Sequence, residues 1–153
     1  LLEQMLYEDS INFTNVSHHW EEALQSSSDP LLKRRIISQD YVNAIIRNVK
    51  ELGPYIVLTD GVAFAHARPE DGALASGITL LNLKEGTTFP NKEKPVYLIF
   101  TFAAVSDDSH LTMLTELSHL LSNPENINRL KNTETYEEVM EIVHENIIEE
   151  DYQ

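Results

Sequence analysis

The chain has 153 residues, 42% of them hydrophobic, which suits a single domain over residues 1–153 with a core of ordinary size. Its 11 basic and 25 acidic residues give a formal charge of -14, which opposes binding to nucleic acid or anionic lipid and favours a basic protein partner. There is no cysteine, so a disulfide framework and a thiolate metal site are both excluded.

No apolar run approaches the length of a membrane span, and the N-terminus lacks the basic-then-apolar order of a signal peptide, which suits a cytoplasmic protein. The chain opens at Leu1 without a methionine, which is compatible with a larger parent polypeptide. In chain order, Ser10 to Val16 reads as an edge strand leading into a helix through His19 to Leu24. Ser26-Ser27-Ser28-Asp29-Pro30 is expected to break that helix, leaving a short segment from Leu31 to Arg35. Tyr41, Val42, Ile45, Ile46, Val49 and Leu52 recur at helical spacing, and Gly53-Pro54 is a stop signal.

Tyr55 to Leu58 and Val62 to Phe64 are predicted as short strands around a turn at Asp60-Gly61. Ala75 to Leu83 and Val96 to Ala103 are predicted as longer ones. The last of these is apolar on both faces, as a central strand covered by helices on each side would be. A helix is expected from Asp108, with Leu111, Leu114, Leu117, Leu120 and Leu121 as its stripe and Asn123-Pro124 as its end. A helical turn follows from Glu125 to Leu130. Thr135 and Glu138 form a capping-box signature for a last helix, with Tyr136, Val139, Met140, Val143 and Ile147 as its buried stripe. Strands in the middle with helices before and after give an α/β fold, a three-layer sandwich whose mixed central sheet is flanked by helices. Glu137, Glu138, Glu141, Glu145, Glu149, Glu150 and Asp151 read as a solvated helix face.

Chemistry is concentrated in Asp60-Gly61-Val62-Ala63-Phe64-Ala65-His66-Ala67-Arg68-Pro69-Glu70-Asp71-Gly72. A short apolar run between chain-breaking residues ends at His66, which presents the imidazole at a strand tip with Arg68 near it. Imidazole serves as base, metal ligand or phosphoryl acceptor, and a guanidinium repels metal cations but pairs with phosphate oxygens. Phosphoryl chemistry is therefore favoured. His110 falls in the first turn of the leucine-rich helix, where unpaired N–H groups and the dipole also favour an anion.

These residues resemble the mannitol/fructose-type enzyme IIA family of the bacterial sugar phosphotransferase system. Gly61 to His66 follow that family's glycine, apolar, alanine, apolar, X, histidine pattern. Gly53-Pro54-Tyr55 together with His66 to Gly72 is similar to the ascorbate branch. The likeness continues through Phe102 to Val105, Asp107-Asp108-Ser109-His110 and Asn123 to Asn126, and so spans most of the chain. The resemblance implies the α/β sandwich fold and a phosphoryl carrier without a cofactor. His66 would accept the group from HPr and pass it to a cysteine of an enzyme IIB, reaching a membrane permease only through that protein, with ascorbate or a related compound as the sugar. It also implies His110 as a second active-site histidine. Where the family usually has proline before the histidine this chain has Ala65, which loses a rigidifying ring and gains a backbone N–H. An arginine of mannitol-type members falls near Asn48, leaving the adjacent Arg47 as a candidate phosphate-stabilising or partner-binding residue beside Arg68.

Against this stand two other readings. One is a regulatory domain of the same fold, in which phosphorylation of His66 alters a protein contact in a transcription regulator. The other is a metal-dependent hydrolase using His66, His110 and Asp107 or Asp108, for which the ligand spacings are missing. His18, His19, His119 and His144 read as structural or solvated, and Arg68, Glu70 and Asp71 as loop-shaping and partner-facing, with Arg68 either pairing with the phosphoryl group or anchored by Glu70 and Asp71. No nucleophile elbow, Walker loop or dinucleotide glycine pattern is present.

Overall fold

A computed structural model describes residues 1–16 and 18–147. Four strands, β1 (Ile11–Thr14), β2 (Val62–Ala65), β3 (Gly77–Thr87) and β4 (Val96–Ala103), form one sheet in the order β1-β3-β4-β2. The β3–β4 pair is antiparallel, and both edge strands run parallel to their neighbours, so the sheet is mixed. Around it lie α1 (Leu2–Met5), α2 (Trp20–Lys33), α3 (Gln39–Leu52), α4 (Asp107–Leu121), α5 (Pro124–Lys131) and α6 (Tyr136–Glu145).

Strand alternation divides the core in two. Val62, Phe64, Ile78, Leu80, Leu98, Phe100 and Phe102 face Leu2, Met113, Leu117, Leu130, Val139 and Val143 of α1, α4, α5 and α6. Ala63, Ala65, Leu81, Leu83, Ile99 and Ala103 face Ala23, Leu24, Leu31, Tyr41, Ile45 and Val49 of α2 and α3. The three-layer sandwich is the result, with β4 buried on both faces.

Several local expectations are corrected. Helix α2 runs unbroken through Ser26–Pro30 because its serines turn inward. The Ser28 hydroxyl donates to the Leu24 carbonyl at 2.7 Å, and Ser27 Oγ lies 2.7 Å from Thr101 Oγ1 across the sheet. Thr79 donates to the Ser27 carbonyl at 2.7 Å, so the polar groups that favour a break elsewhere are satisfied inside a helix here. Tyr55–Leu58 forms a turn in place of a strand. Gly53, at φ +90°, ends α3, and the Tyr55 and Val57 amides donate to the Gly53 and Pro54 carbonyls, so they are lost to any ladder.

In α4 the expected Leu117, Leu120 and Leu121 are buried and Met113 joins them, while Leu111 is 66% exposed and Leu114 is half-buried. In α6 the buried stripe is Val139, Ile142 and Val143, with Tyr136, Met140 and Ile147 half-buried. Thr135 caps α6 by accepting the Glu138 amide at 3.1 Å. Glu137, Glu138, Glu141 and Glu145 are exposed as expected; Glu149, Glu150 and Asp151 lie outside the described residues.

The loop that follows His66 is stitched to the start of α3. Ser38 donates its amide to the Gly72 carbonyl at 3.0 Å, and Leu74 donates to the Ile36 carbonyl at 2.8 Å. Gly72 has φ +137°, and a Cβ there would fall 2.2 Å from Ser38 Oγ and 3.0 Å from the Tyr41 nitrogen. Gly72→Ala is therefore expected to lower stability by about 1–3 kcal/mol in urea unfolding. Unchanged stability would show that this turn repacks freely.

Candidate functional site

His66 is the residue immediately after β2, on the same side of the sheet as Val62 and Phe64. Because Phe64 pairs with Phe100 and Ala65 with Thr101, the next position along falls beside Phe102. The imidazole stacks on that ring, with centroids 5.1 Å apart and planes 22° apart. The Tyr55 ring approaches it edge-on at 5.6 Å. One face of the imidazole is thus set by an apolar wall.

Its nitrogens are not equivalent. Nδ1 lies 2.9 Å from the Phe64 carbonyl oxygen. A carbonyl only accepts, so Nδ1 carries the proton and Nε2 keeps its lone pair. Burial pushes the His66 pKa below its ordinary value, the hydrogen bond to Phe64 works the other way, and the charge of His110 lowers it further. The neutral ring, with Nε2 as a nucleophile, is the form this environment favours.

His110 reaches the same place from the other side. Ser106 caps α4 by accepting the Ser109 amide at 3.1 Å, which starts the helix where β4 ends and puts His110 in its first turn. The two imidazole centroids are 6.2 Å apart, and His110 also lies 5.8 Å from the Phe102 ring. Both histidines are half-buried. An anion on Nε2 of His66 would meet His110 as a ready donor. The exposed carboxylates of Asp107 and Asp108 make the helix end itself a weaker attraction.

The arginines are placed differently. Arg68 is 73% exposed at the side chain, with Nε 3.4 Å from Asp71 and 3.7 Å from Glu70. The Asp71 carboxylate also accepts the Arg68 amide at 3.2 Å and closes the turn, and the guanidinium beside it holds its pKa low. Glu70 and Asp71 therefore engage the guanidinium and shape the loop. Arg47 is exposed on α3, in a hollow shared with Glu21, Asn43, Ile46, Lys50 and Glu51. The structure brings His66 and His110 together and leaves both arginines outside that pair.

Two residues that sequence reasoning left as core or strand belong to the site. Tyr41 Oη accepts the Ala67 amide at 3.0 Å and lies 2.9 Å from the Phe102 carbonyl, to which it donates, with the Ala67 carbonyl at 3.1 Å. Tyr55 donates to the His66 carbonyl at 2.5 Å. The one available signal is chemical: a tyrosine in an aliphatic stripe brings a hydroxyl that must find a partner.

Residues 4–146 match the family model for the phosphoenolpyruvate-dependent sugar phosphotransferase system, EIIA 2. The chain belongs to this enzyme IIA family. It is 31% identical over 136 residues to the ascorbate-specific PTS system EIIA component of Escherichia coli strain K12, covering 88% of each protein. The solution structure of the mannitol-specific cryptic phosphotransferase enzyme IIA of Escherichia coli superposes with a TM-score of 0.87 at 34% identity, over 94% of this chain and 98% of that one. Mannitol enzyme IIA of Escherichia coli, solved in complex with phosphorylated enzyme IIB, matches with a TM-score of 0.78 at 25% identity, over 91% and 96% of the chains. As an enzyme IIA, the chain is a phosphotransferase component.

The depressed pKa of His66 has a measurable sign. The folded protein holds the ring neutral, so on acidification the unfolded chain takes up this proton first. The stability His66 supplies is complete above the ordinary imidazole value of about 6.5 and declines as pH falls through it toward the folded midpoint. Nuclear magnetic resonance titration of the His66 ring is expected to give a midpoint below 6.5; one at or above it would contradict the buried neutral ring.

Proposed function

We propose that His66 is the phosphoryl acceptor of a carrier that serves HPr and an enzyme IIB. Nε2 attacks the phosphorus of phosphohistidine on HPr in line, and the HPr imidazole leaves. A thiolate of enzyme IIB then attacks the same phosphorus, and the bond to Nε2 breaks. The observation that carries this reading is the hydrogen bond from Nδ1 to the Phe64 carbonyl, which leaves Nε2 as the nucleophilic nitrogen on a ring fixed by stacking. His110 acts as a donor to the phosphoryl oxygens during transfer. No cofactor takes part. Arg68 and Arg47 bind partner proteins in preference to the phosphoryl group, since Arg68 is engaged by Asp71 and Arg47 is exposed on α3, where its charge also acts on Asp71.

Phosphoryl transfer needs positioning and charge stabilisation more than acid or base groups, and this site supplies little else. Leu74, Val105 and Leu111 are exposed on the segments that frame the two histidines, as suits brief docking of successive proteins. Enzyme IIB is supported as a partner by the complex of the mannitol relative, and ascorbate or a related sugar by the ascorbate-specific relative. The sugar itself would meet the membrane permease and not this domain. Among the described residues no helix is long and apolar enough to cross a membrane.

With enzyme I, HPr and phosphoenolpyruvate, the protein is expected to gain one acid-labile phosphoryl group. His66→Ala should abolish labelling while the fold persists, and undiminished labelling would remove His66 from the role. His110→Ala should keep the acceptor but slow transfer by about a hundredfold. Rates equal to those of the unaltered protein would make His110 structural. Labelled protein mixed with a cognate enzyme IIB should discharge to the partner's cysteine within seconds. A phosphoryl group that returns to HPr but never reaches an enzyme IIB of the ascorbate, galactitol, fructose or mannitol type would favour the regulatory-domain reading.

A further inference from the structure

Ladder pairing of β2 ends at Ala65, opposite Thr101. The next peptide groups belong to His66 and Ala67, which lie past the last ladder pair although β4 continues alongside to Ala103. Buried or half-buried backbone groups need other partners, and here tyrosine hydroxyls supply them. Tyr55 donates to the His66 carbonyl, and Tyr41 accepts the Ala67 amide. Tyr41 also donates to the carbonyl of Phe102, the residue whose ring stacks on the imidazole. One hydroxyl thus ties the loop after His66 to the wall beneath it, and the other ties down the carbonyl of His66 itself.

We propose that Tyr55 and Tyr41 are positioning residues, which lock the His66–Ala67 backbone so that the ring keeps its Nδ1–H bond to Phe64 and presents Nε2. The bond from Nδ1 to the carbonyl of Phe64, two residues earlier, depends on the backbone torsions at Ala65 and His66. Alanine at 65 imposes no ring constraint on those torsions. The edge-on Tyr55 ring adds a lateral stop. Burial raises the pKa of both phenols, that of Tyr41 to about 12, so they remain O–H donors at neutral pH.

A purely structural tyrosine would alter stability and leave the imidazole as it was. Tyr55 is half-buried, so Tyr55→Phe keeps the ring and exposes one carbonyl to water at little cost to the fold. The inference rests on His66 as acceptor, so one arm of the test does not use phosphoryl transfer. In unphosphorylated protein with nitrogen-15 histidine, His66 is expected to show the Nδ1–H tautomer alone, and Tyr55→Phe a mixture of two tautomers. In transfer from phospho-HPr, Tyr55→Phe is expected to lower kcat about tenfold or more with KM for HPr unchanged.

Tyr41→Phe should do the same with an added loss of stability, because it leaves the Phe102 carbonyl unpaired. A protein carrying 3,5-difluorotyrosine at position 55 retains the ring and has a more acidic phenol, so its transfer rate should fall with rising pH where that of the unaltered protein does not. A Tyr55→Phe protein with the original tautomer and kcat, or with a change in KM alone, would overturn the proposal. Tautomer mixing in Tyr55→Phe supports the positioning role even if the unaltered protein takes no label at His66, a result that overturns the acceptor reading instead.

Discussion

The hydrogen bond from His66 Nδ1 to the Phe64 carbonyl decides what this site can do. Both groups sit at the end of an edge strand, and the two-residue repeat of the strand puts Phe64 and His66 on one face. A ring held this way has one protonated nitrogen turned back on the chain and one lone pair left over. Stacking on Phe102 removes most of the remaining rotational choice. What is left is one oriented nitrogen lone pair, which on the proposed function is a nucleophile that needs no base to activate it.

The surrounding architecture can be traced from that requirement. Parallel pairing with β4 brings Phe102 under the imidazole, and the turn from β4 into α4, capped by Ser106, returns His110 to within one ring of it. On the opposite face of the sheet, α3 carries Tyr41 to the loop, and the glycine at position 72 lets that loop lie against the start of α3. Two cores are therefore engaged at one site: the α4 side supplies the second histidine, and the α3 side holds the backbone.

Much of this was legible in the chain. The break at Asp60-Gly61, the apolar run to Phe64 and the Pro69 turn mark a presented histidine, and the two-sided apolar run from Val96 marks the central strand, because each is a local signal. Two features were not legible, one because it depends on partners far away in the chain and the other because a local turn takes amides that a strand would use. The serines of α2 look like breakers until Thr79 and Thr101 of the sheet satisfy them. Tyr55 looks like a strand residue until Gly53 and Pro54 take the local amides.

On the proposed function, the state of Arg68 bears on how a phosphoryl group would be held at His66. A group that must be passed on cannot be held too firmly, since interactions equal in the bound and transferring states add affinity without speed. A free, buried guanidinium aimed at the phosphoryl oxygens would trap them. Here the guanidinium is 73% exposed and lies within 3.7 Å of both Asp71 and Glu70, so on the same reading a donor histidine would stand in place of a committed cation. The chain's charge of -14 acts in the same direction, raising the energy of an added phosphate and favouring its departure to a partner. On the carrier reading, weak electrostatic retention and strict geometric control of Nε2 are two halves of one requirement: the acceptor is fixed firmly so that the phosphoryl group need not be.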